Sequence, residues 1–460
     1  MLTNLNWLNS GAEYPPAAEK ERIESYKTNE KLFRTKHSEV YKDFFEELTT
    51  RLHLEKTDKV RTILNYHQLL SKKTADFVCS EPPTLETEDD TDELIRRLEK
   101  MQWAKKLYEG MIDISRYGNA VFKFVGQRVS VVDPKYWFPI VDPADLKEIV
   151  KHVIAYPTET DPEGKPTQLY VEIHDIGSIE TRLYKFDGDK GTVGEILSAT
   201  EKSSDIPDDF AVQILSNVTE SGSIYGIDDY SAINSLISSI MWRIQRIDTV
   251  LNKHSEPSVS GPSSALTWDE RFQRYYLDFG KFFARDNSTD PDVKYITWDG
   301  NLTSAFQEIE MLMDQLYIIS EMGQAFALGK DGGGESSGTA LKLRLISPRI
   351  KAARIVANNN AAVKRIISIF AELNGIKLDY DNLQLHWKDG IPVDEREQIE
   401  TLQIATGGKP VMSQYSAMKQ RGLSDKDVET ELEQLATEAA AASPVALTAV
   451  DPFDETEDSS

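Results

Sequence analysis

The sequence predicts an α+β fold that is predominantly helical, and three observations carry that reading. Apolar residues recur at helix spacing over the first hundred or so positions and again over three long stretches after residue 228. From about Gly118 to Phe186 the apolar period falls to two, with turn residues between runs too short for helices. Helices come first, then strands, then helices again, so the strands read as one antiparallel-looking sheet region inside a helical chain.

Val40, Phe44, Phe45 and Leu48, then Leu94, Leu98, Trp103 and Leu107, mark the N-terminal helices. Between them Ser80-Glu81-Pro82-Pro83 and the acidic run Glu86 to Asp92 read as a solvated loop, and Cys79 as a small core residue. Ala120, Phe122, Phe124, Val129 and Val131 alternate around a turn at Gly126-Gln127. Ile149–Tyr156, Leu169–His174 and Thr181–Phe186 read as further strands, broken by Pro-Glu-Gly at 162–164 and Gly-Asp-Lys-Gly at 188–191. A long helix is expected from about Asp228 to Lys253, and a second from about Ser304 to Phe326 opening on a Ser304/Gln307 capping box. The intervening piece holds Trp268, Phe272, Tyr275, Tyr276, Phe279 and a β-like Val293–Trp298, so the pair forms a hairpin with an elaborated tip. Gly329 to Gly338 is the stretch richest in glycine and serine. A third long helix, Thr339 to Leu373, carries Pro348, which predicts a kink or break near 344–348. A strand at Leu383–Trp387, helices near 394–405, 413–420 and 424–440, and an acidic disordered tail complete the chain.

The chain of 460 residues has 52 basic and 76 acidic side chains, a formal charge of −24. That balance argues against bulk electrostatic wrapping of nucleic acid. A single cysteine excludes an internal disulfide and a Cys-cluster zinc site, the first residues lack the pattern of a signal peptide, and no run is long enough to span a bilayer, which points to the cytoplasm. The glycine-rich stretch fails the P-loop spacing, because Gly338 is followed by Thr339-Ala340, and Gly408-Lys409 by Pro410. No two of the seven histidines share a helix face at three- or four-residue spacing, and Asp228-Asp229, Asp290/Asp292 and Asp379/Asp381 read as solvated loop pairs. No enzyme, cofactor or metal is expected. One feature departs from the acidic background: Lys342, Arg344, Arg349, Lys351, Arg354, Lys364 and Arg365 follow the glycines with no acid between Glu335 and Glu372. They form either a helix face neutralised by acidic neighbours or a basic rim facing a polyanion.

Four segments together resemble the SPP1-like family of bacteriophage portal proteins. They are Ser221–Ile240 with its Tyr-Gly-Ile-Asp-Asp core, Ser337-Gly338-Thr339-Ala340-Leu341-Lys342, Arg116 to Ala120 followed by Val132-Asp133-Pro134 and Phe138-Pro139-Ile140, and Gly390 to Glu395. The resemblance implies a portal-like architecture in a cyclic ring: an N-terminal helical and β-rich wing over 1–225, stem helices at 226–254 and 303–328, a clip at 255–302, a tunnel loop at 329–338, a kinked wing helix and strand at 339–395, crown helices at 396–440 and a tail at 441–460. It implies a homo-oligomer of twelve copies in the virion, at the portal vertex, assembled in the host cytoplasm. Major capsid and scaffolding proteins, terminase, a head-tail adaptor and double-stranded DNA without sequence preference would be its partners, with no membrane and no cofactor. Lys330, Lys342 and Arg344 are the candidates for the DNA channel, Gly332, Gly333, Gly334 and Gly338 for the loop hinge, and Trp268 and Tyr276 for partner docking. The rival readings are a nucleotide- or metal-dependent nucleic-acid enzyme of packaging and a helical scaffold or adaptor; the failed P-loop spacing counts against the first.

Overall fold

A computed structural model describes residues 1–42, 63–89, 91–217, 220–255, 302–323, 343–388, 395–407, 410–421 and 425–442, together with five short strands between 258 and 296. These residues divide into two units, Met1–Gly390 and Ile391–Ser460.

In the first unit, helices α1 (Lys20–Phe33) and α2 (His37–Val40) precede α3 (Tyr66–Cys79), capped by Asn65, whose side chain accepts from the Gln68 N–H. Phe44, Phe45 and Leu48 lie outside the described residues. Strand β1 (Thr84–Glu86) falls where the sequence suggested a loop; it pairs antiparallel with a strand three hundred residues away, a partner that no local pattern reveals. Helices α4 (Asp92–Lys100) and α5 (Trp103–Tyr117) bury Leu94, Leu98, Trp103 and Leu107 as expected, with a break at Gln102, whose φ is +58°.

Strands β2 (Asn119–Val125) and β3 (Arg128–Val132) form the expected hairpin. Both faces of β2 are covered, since Val121 is as buried as Ala120 and Phe122. Five strands, β4 (Trp137–Val141), β5 (Ile149–Thr160), β6 (Pro166–Asp175), β7 (Ser178–Asp187) and β8 (Thr192–Ser203), make an antiparallel meander in that order. β9 (Val212–Ser216) completes a three-stranded sheet, β3-β2-β9. An N-terminal arm lays Leu2, Trp7 and Leu8 on one face of the meander, against Phe138, Val171, Tyr184 and Phe186. Val121 and Val212 meet Trp137 and Ile154 between the two sheets.

The first long helix, α6 (Asn234–Ser255), starts six residues later than expected, because Asp228 caps a turn ahead of it by accepting from the Tyr230 and Ser231 N–H groups. Five strands follow: β10 (Ser258–Pro262), β11 (Thr267–Asp269), β12 (Arg274–Tyr276), β13 (Lys281–Arg285) and β14 (Lys294–Ile296). β10 pairs in parallel with β13 and antiparallel with β14, while β11 and β12 form a hairpin. Helix α7 (Thr303–Ile319) packs along α6, with an Arg243–Glu308 ion pair at 2.6 Å between them. It ends earlier than expected, where Glu321 turns left-handed at φ +58°, and the Ser304/Gln307 capping box does not form.

Leu343 and Arg344 are helical, and after a turn at Leu345 helix α8 (Ile346–Leu373) begins afresh. Pro348 therefore sits in its first turn, where a missing N–H leaves no bond unmade, and the expected interruption falls just before it. Asn359 of α8 meets β9 as a strand would: its Oδ1 accepts from the Ser216 N–H at 2.6 Å and its Nδ2 donates to the Ser216 carbonyl at 2.8 Å. β15 (Gln384–His386) closes the unit on β1.

The second unit holds α9 (Glu395–Thr406), α10 (Gln414–Gln420), capped by Ser413, and α11 (Asp425–Ala442). Ala417 and Val428 are buried, while Ile404 and Val411 are exposed. Helix outweighs strand among the described residues, an α+β architecture.

Candidate functional site

Two of the segments that carry the family resemblance converge at the root of α6. Tyr225 donates its hydroxyl to the buried Glu19 carboxylate at 2.7 Å, and Arg22 donates to the same group at 2.7 Å. The Arg22 guanidinium lies 4.6 Å from the Tyr225 ring centre and donates to the Trp137 carbonyl at 2.7 Å. Gly226 and Gly118 cross backbone to backbone. A Cβ on Gly226 would lie 2.0 Å from the Gly118 carbonyl oxygen, and one on Gly118, whose φ is +82°, 2.2 Å from that of Gly226. Only glycine fits either position. The crossing is tied by the Asn217 N–H to the Gly118 carbonyl and the Gly226 N–H to Asn119 Oδ1.

Next in the chain, Asp229 is not a solvated loop acid. It accepts from Ser115 Oγ at 2.6 Å and Thr74 Oγ1 at 3.3 Å, and pairs with Lys351 Nζ at 2.8 Å, both charged groups being largely buried. Tyr230 shares a hydrogen bond of 2.7 Å with Ser71. Asn234, the first residue of α6, accepts from His67 Nε2 at 2.8 Å, and His67 Nδ1 lies 3.1 Å from His37 Nε2. With the Asn234 oxygen as acceptor, His67 carries its proton on Nε2, so its Nδ1 accepts from His37. Burial holds His67 neutral, pushing its pKa down to about 4. Sequence spacing hid this pair, thirty residues apart, and hid His152 and His174, which face each other across β5 and β6.

The cations of the basic run divide. Lys351 reaches Asp229 and also the Ser320 carbonyl at the end of α7, and Arg354 pairs with Glu321. Arg365 pairs with Asp209, and Lys364 sits 4.3 Å from the Tyr380 ring centre. Neutralisation by acidic neighbours thus accounts for Lys351, Arg354 and Arg365. Arg344 is exposed. Lys330, Lys342, Gly332, Gly333, Gly334 and Gly338 lie outside the described residues, as do Asp290, Asp292 and most of the segment 390–395. Trp268, 47% exposed, lies opposite Tyr275 in the β11–β12 hairpin, with Tyr276 next to it opposite Thr267.

Among the described residues no cluster of His, Cys, Asp and Glu could hold a metal ion, and no helix is long and apolar enough to cross a membrane. Cys79 is buried, and its thiol is pushed up to about 12 by that burial and by Asp76 nearby. An open cleft of about 450 Å³ is lined by Tyr14, Lys27, Lys135, Tyr136, Phe138 and Phe186. Its lysines are already paired, Lys27 with Glu24 and Lys135 with Glu30 and Asp133.

Among solved structures, the chain is similar to one in the neck of a native gene transfer agent (GTA) particle computed with C12 symmetry, with a TM-score of 0.41 and 13% identity over 78% of this chain and 88% of that one. A chain of the virion of a native GTA particle gives 0.42 and 12% over 78% and 89%. One in the neck of an empty GTA particle computed with C6 symmetry gives 0.44 and 12% over 82% and 93%. No curated protein matches by sequence. The model of the phage portal protein family, SPP1 Gp6-like, matches residues 14–445. This chain belongs to that family of portal proteins, which are structural proteins and not enzymes.

Proposed function

We propose that the chain assembles into a closed ring of copies at one vertex of a capsid, and that the ring conducts double-stranded DNA during packaging and ejection. The observation that carries the reading is the open side of α7. Phe306, Met311, Ile318 and Ile319 are all exposed, Ile318 by 66%, on a helix whose other side packs along α6. Met311 and Ile318, two turns apart on one face, with Ile319 at its margin, suit a neighbouring copy, in the heterologous contact that a cyclic ring repeats. Twelve copies, as the family resemblance implies, carry a formal charge of about −290. A like-charged tube suits a conduit, because strong phosphate neutralisation would hold the duplex in place.

In this reading Lys330, Lys342 and Arg344 meet the passing DNA, and Gly332, Gly333, Gly334 and Gly338 let their loop change shape. Trp268 and Tyr276 offer the hairpin tip to terminase and the head-tail adaptor, aromatic side chains being common anchors at interfaces. Capsid and scaffolding proteins surround the ring, and no cofactor or membrane takes part.

Negative-stain images and sedimentation velocity test the ring. One large species with a central hole is expected, and a persistent monomer of 52.0 kDa at high concentration would sink the proposal. Lys330→Glu or Gly333→Pro should lower packaged DNA with rings intact; normal packaging by both makes the loop a passive linker. Trp268→Ala and Tyr276→Ala should weaken motor docking, and wild-type packaging by both would remove the tip from the interface.

A further inference from the structure

The five-stranded meander ends on two unlike edges. On one side β4 is buried at all five positions and takes Leu2 as a neighbour, through a bridge to Ile140 and the Val141 N–H donating to the Leu2 carbonyl at 2.9 Å. On the other side, β8 has twelve residues, and only its start is covered. There the N-terminal arm runs antiparallel to it: Gly11 donates to the Val193 carbonyl at 2.7 Å, the Val193 N–H to Ala12 at 2.8 Å, and Tyr14 to Gly191 at 2.8 Å. The arm then turns away at Asn9–Ala12. From Gly194 to Ser203, β8 has ladder partners on β7 alone among the described residues. Residues 195–203 are exposed throughout, Ile196 and Leu197 among them at 53% and 49%.

An edge of unpaired N–H and C=O groups flanked by apolar side chains is a template for an added strand. We propose that residues 194–203 of β8 are a strand-addition site, where an extended segment of another protein of the particle pairs with the edge and continues the line begun by the arm. Ile196, Leu197 and Ala199 offer apolar contact, and Glu195, Glu201 and Lys202 make no ion pair among the described residues, so the segment that fits mixes apolar residues with a Lys or Arg opposite the two glutamates and an acid opposite Lys202. A second copy of this chain does not fit the same way, because the opposite edge of the sheet is closed by Leu2 and the meander cannot continue from copy to copy.

The experiment is hydrogen exchange on the purified protein and on the same protein in DNA-filled particles, followed by mass spectrometry. The outward-facing amides of 194–203, those not bonded to β7, exchange fast in the purified protein and about tenfold or more slowly in the particle. Fast exchange in both overturns the proposal and leaves a solvated edge. Equally slow exchange in the purified ring overturns it too, since a second copy would then hold the edge. The double variant Ile196→Lys, Leu197→Lys changes exposed positions and should keep the ring while losing the protection in particles; protection that survives it overturns the assignment. The particle arm rests on the portal reading, and sedimentation of the purified protein reads that separately.

Discussion

At the root of α6, Tyr225, Asp229, Tyr230 and Asn234 each hold a hydrogen bond to another part of the chain, and Gly226 touches Gly118 with no room for a methyl group. On α7, seventy residues further on, Met311 and Ile318 stand two turns apart in the open. The first region spends its side chains inside the molecule and fixes the direction in which a long helix leaves the sheets. The second leaves apolar surface for something else to cover. Polar convergence therefore marks where this fold defines itself, and apolar exposure marks where the proposed contact between copies would lie.

The sharpest way to break this contrast is at the glycine crossing. Gly226→Ala puts a Cβ against a carbonyl oxygen that cannot move aside, so a loss of more than about 3 kcal/mol and little soluble protein are expected. A well-folded Gly226→Ala protein would show that the crossing is loose. Next comes the buried pair. Asp229→Ala strands Lys351 and should cost about 3–5 kcal/mol, whereas the double variant with Lys351→Met recovers much of it. Additive losses in that double-mutant cycle would remove the pair from the junction.

A smaller effect comes from His67. In the fold its pKa is near 4, against 6.5 for the free side chain, so between those values the unfolded chain binds a proton that the fold refuses. Stability is full above the free value and falls as the pH drops, by about 2 kcal/mol between pH 7.5 and pH 5. Urea unfolding should show that slope reduced by His67→Gln, and an unchanged slope would exclude His67 as its source. On the open side, Ile318→Glu should alter the stability of the single chain by less than about 0.5 kcal/mol and yet abolish rings in sedimentation. Rings that persist would move the copy-to-copy contact off this face.

Local periodicity made most of the elements legible. The β2–β3 hairpin, the strands of the meander around Pro-Glu-Gly and Gly-Asp-Lys-Gly, and the long helices follow from spacing and turn residues, which act within a few residues of one another. What spacing could not show is partnership at a distance. β1 looked like loop because its pairing residues lie near position 385, and Asp229 looked solvated because its lysine is more than a hundred residues on. Helical spacing located α7 correctly without saying that Leu316 is its one fully buried side chain. The acid-free run before Glu372 was likewise ambiguous until Asp209, Asp229 and Glu321 were seen to reach it.

Asn359 gives the helix–sheet contact a consequence for motion. An amide side chain is the one group that carries a donor and an acceptor in a plane as a peptide unit does, and here it stands in for the next strand beside Ser216. Sliding α8 along β9 by a single helical turn, about 5.4 Å, breaks both bonds at once, and no side chain one turn away can remake them, since Ile355, Val356, Ala362 and Val363 carry neither donor nor acceptor. The helix and the three-stranded sheet are thereby indexed to one residue. Any displacement imposed on the start of α8 reaches that sheet as a shift of the whole block, undiminished by slippage between them.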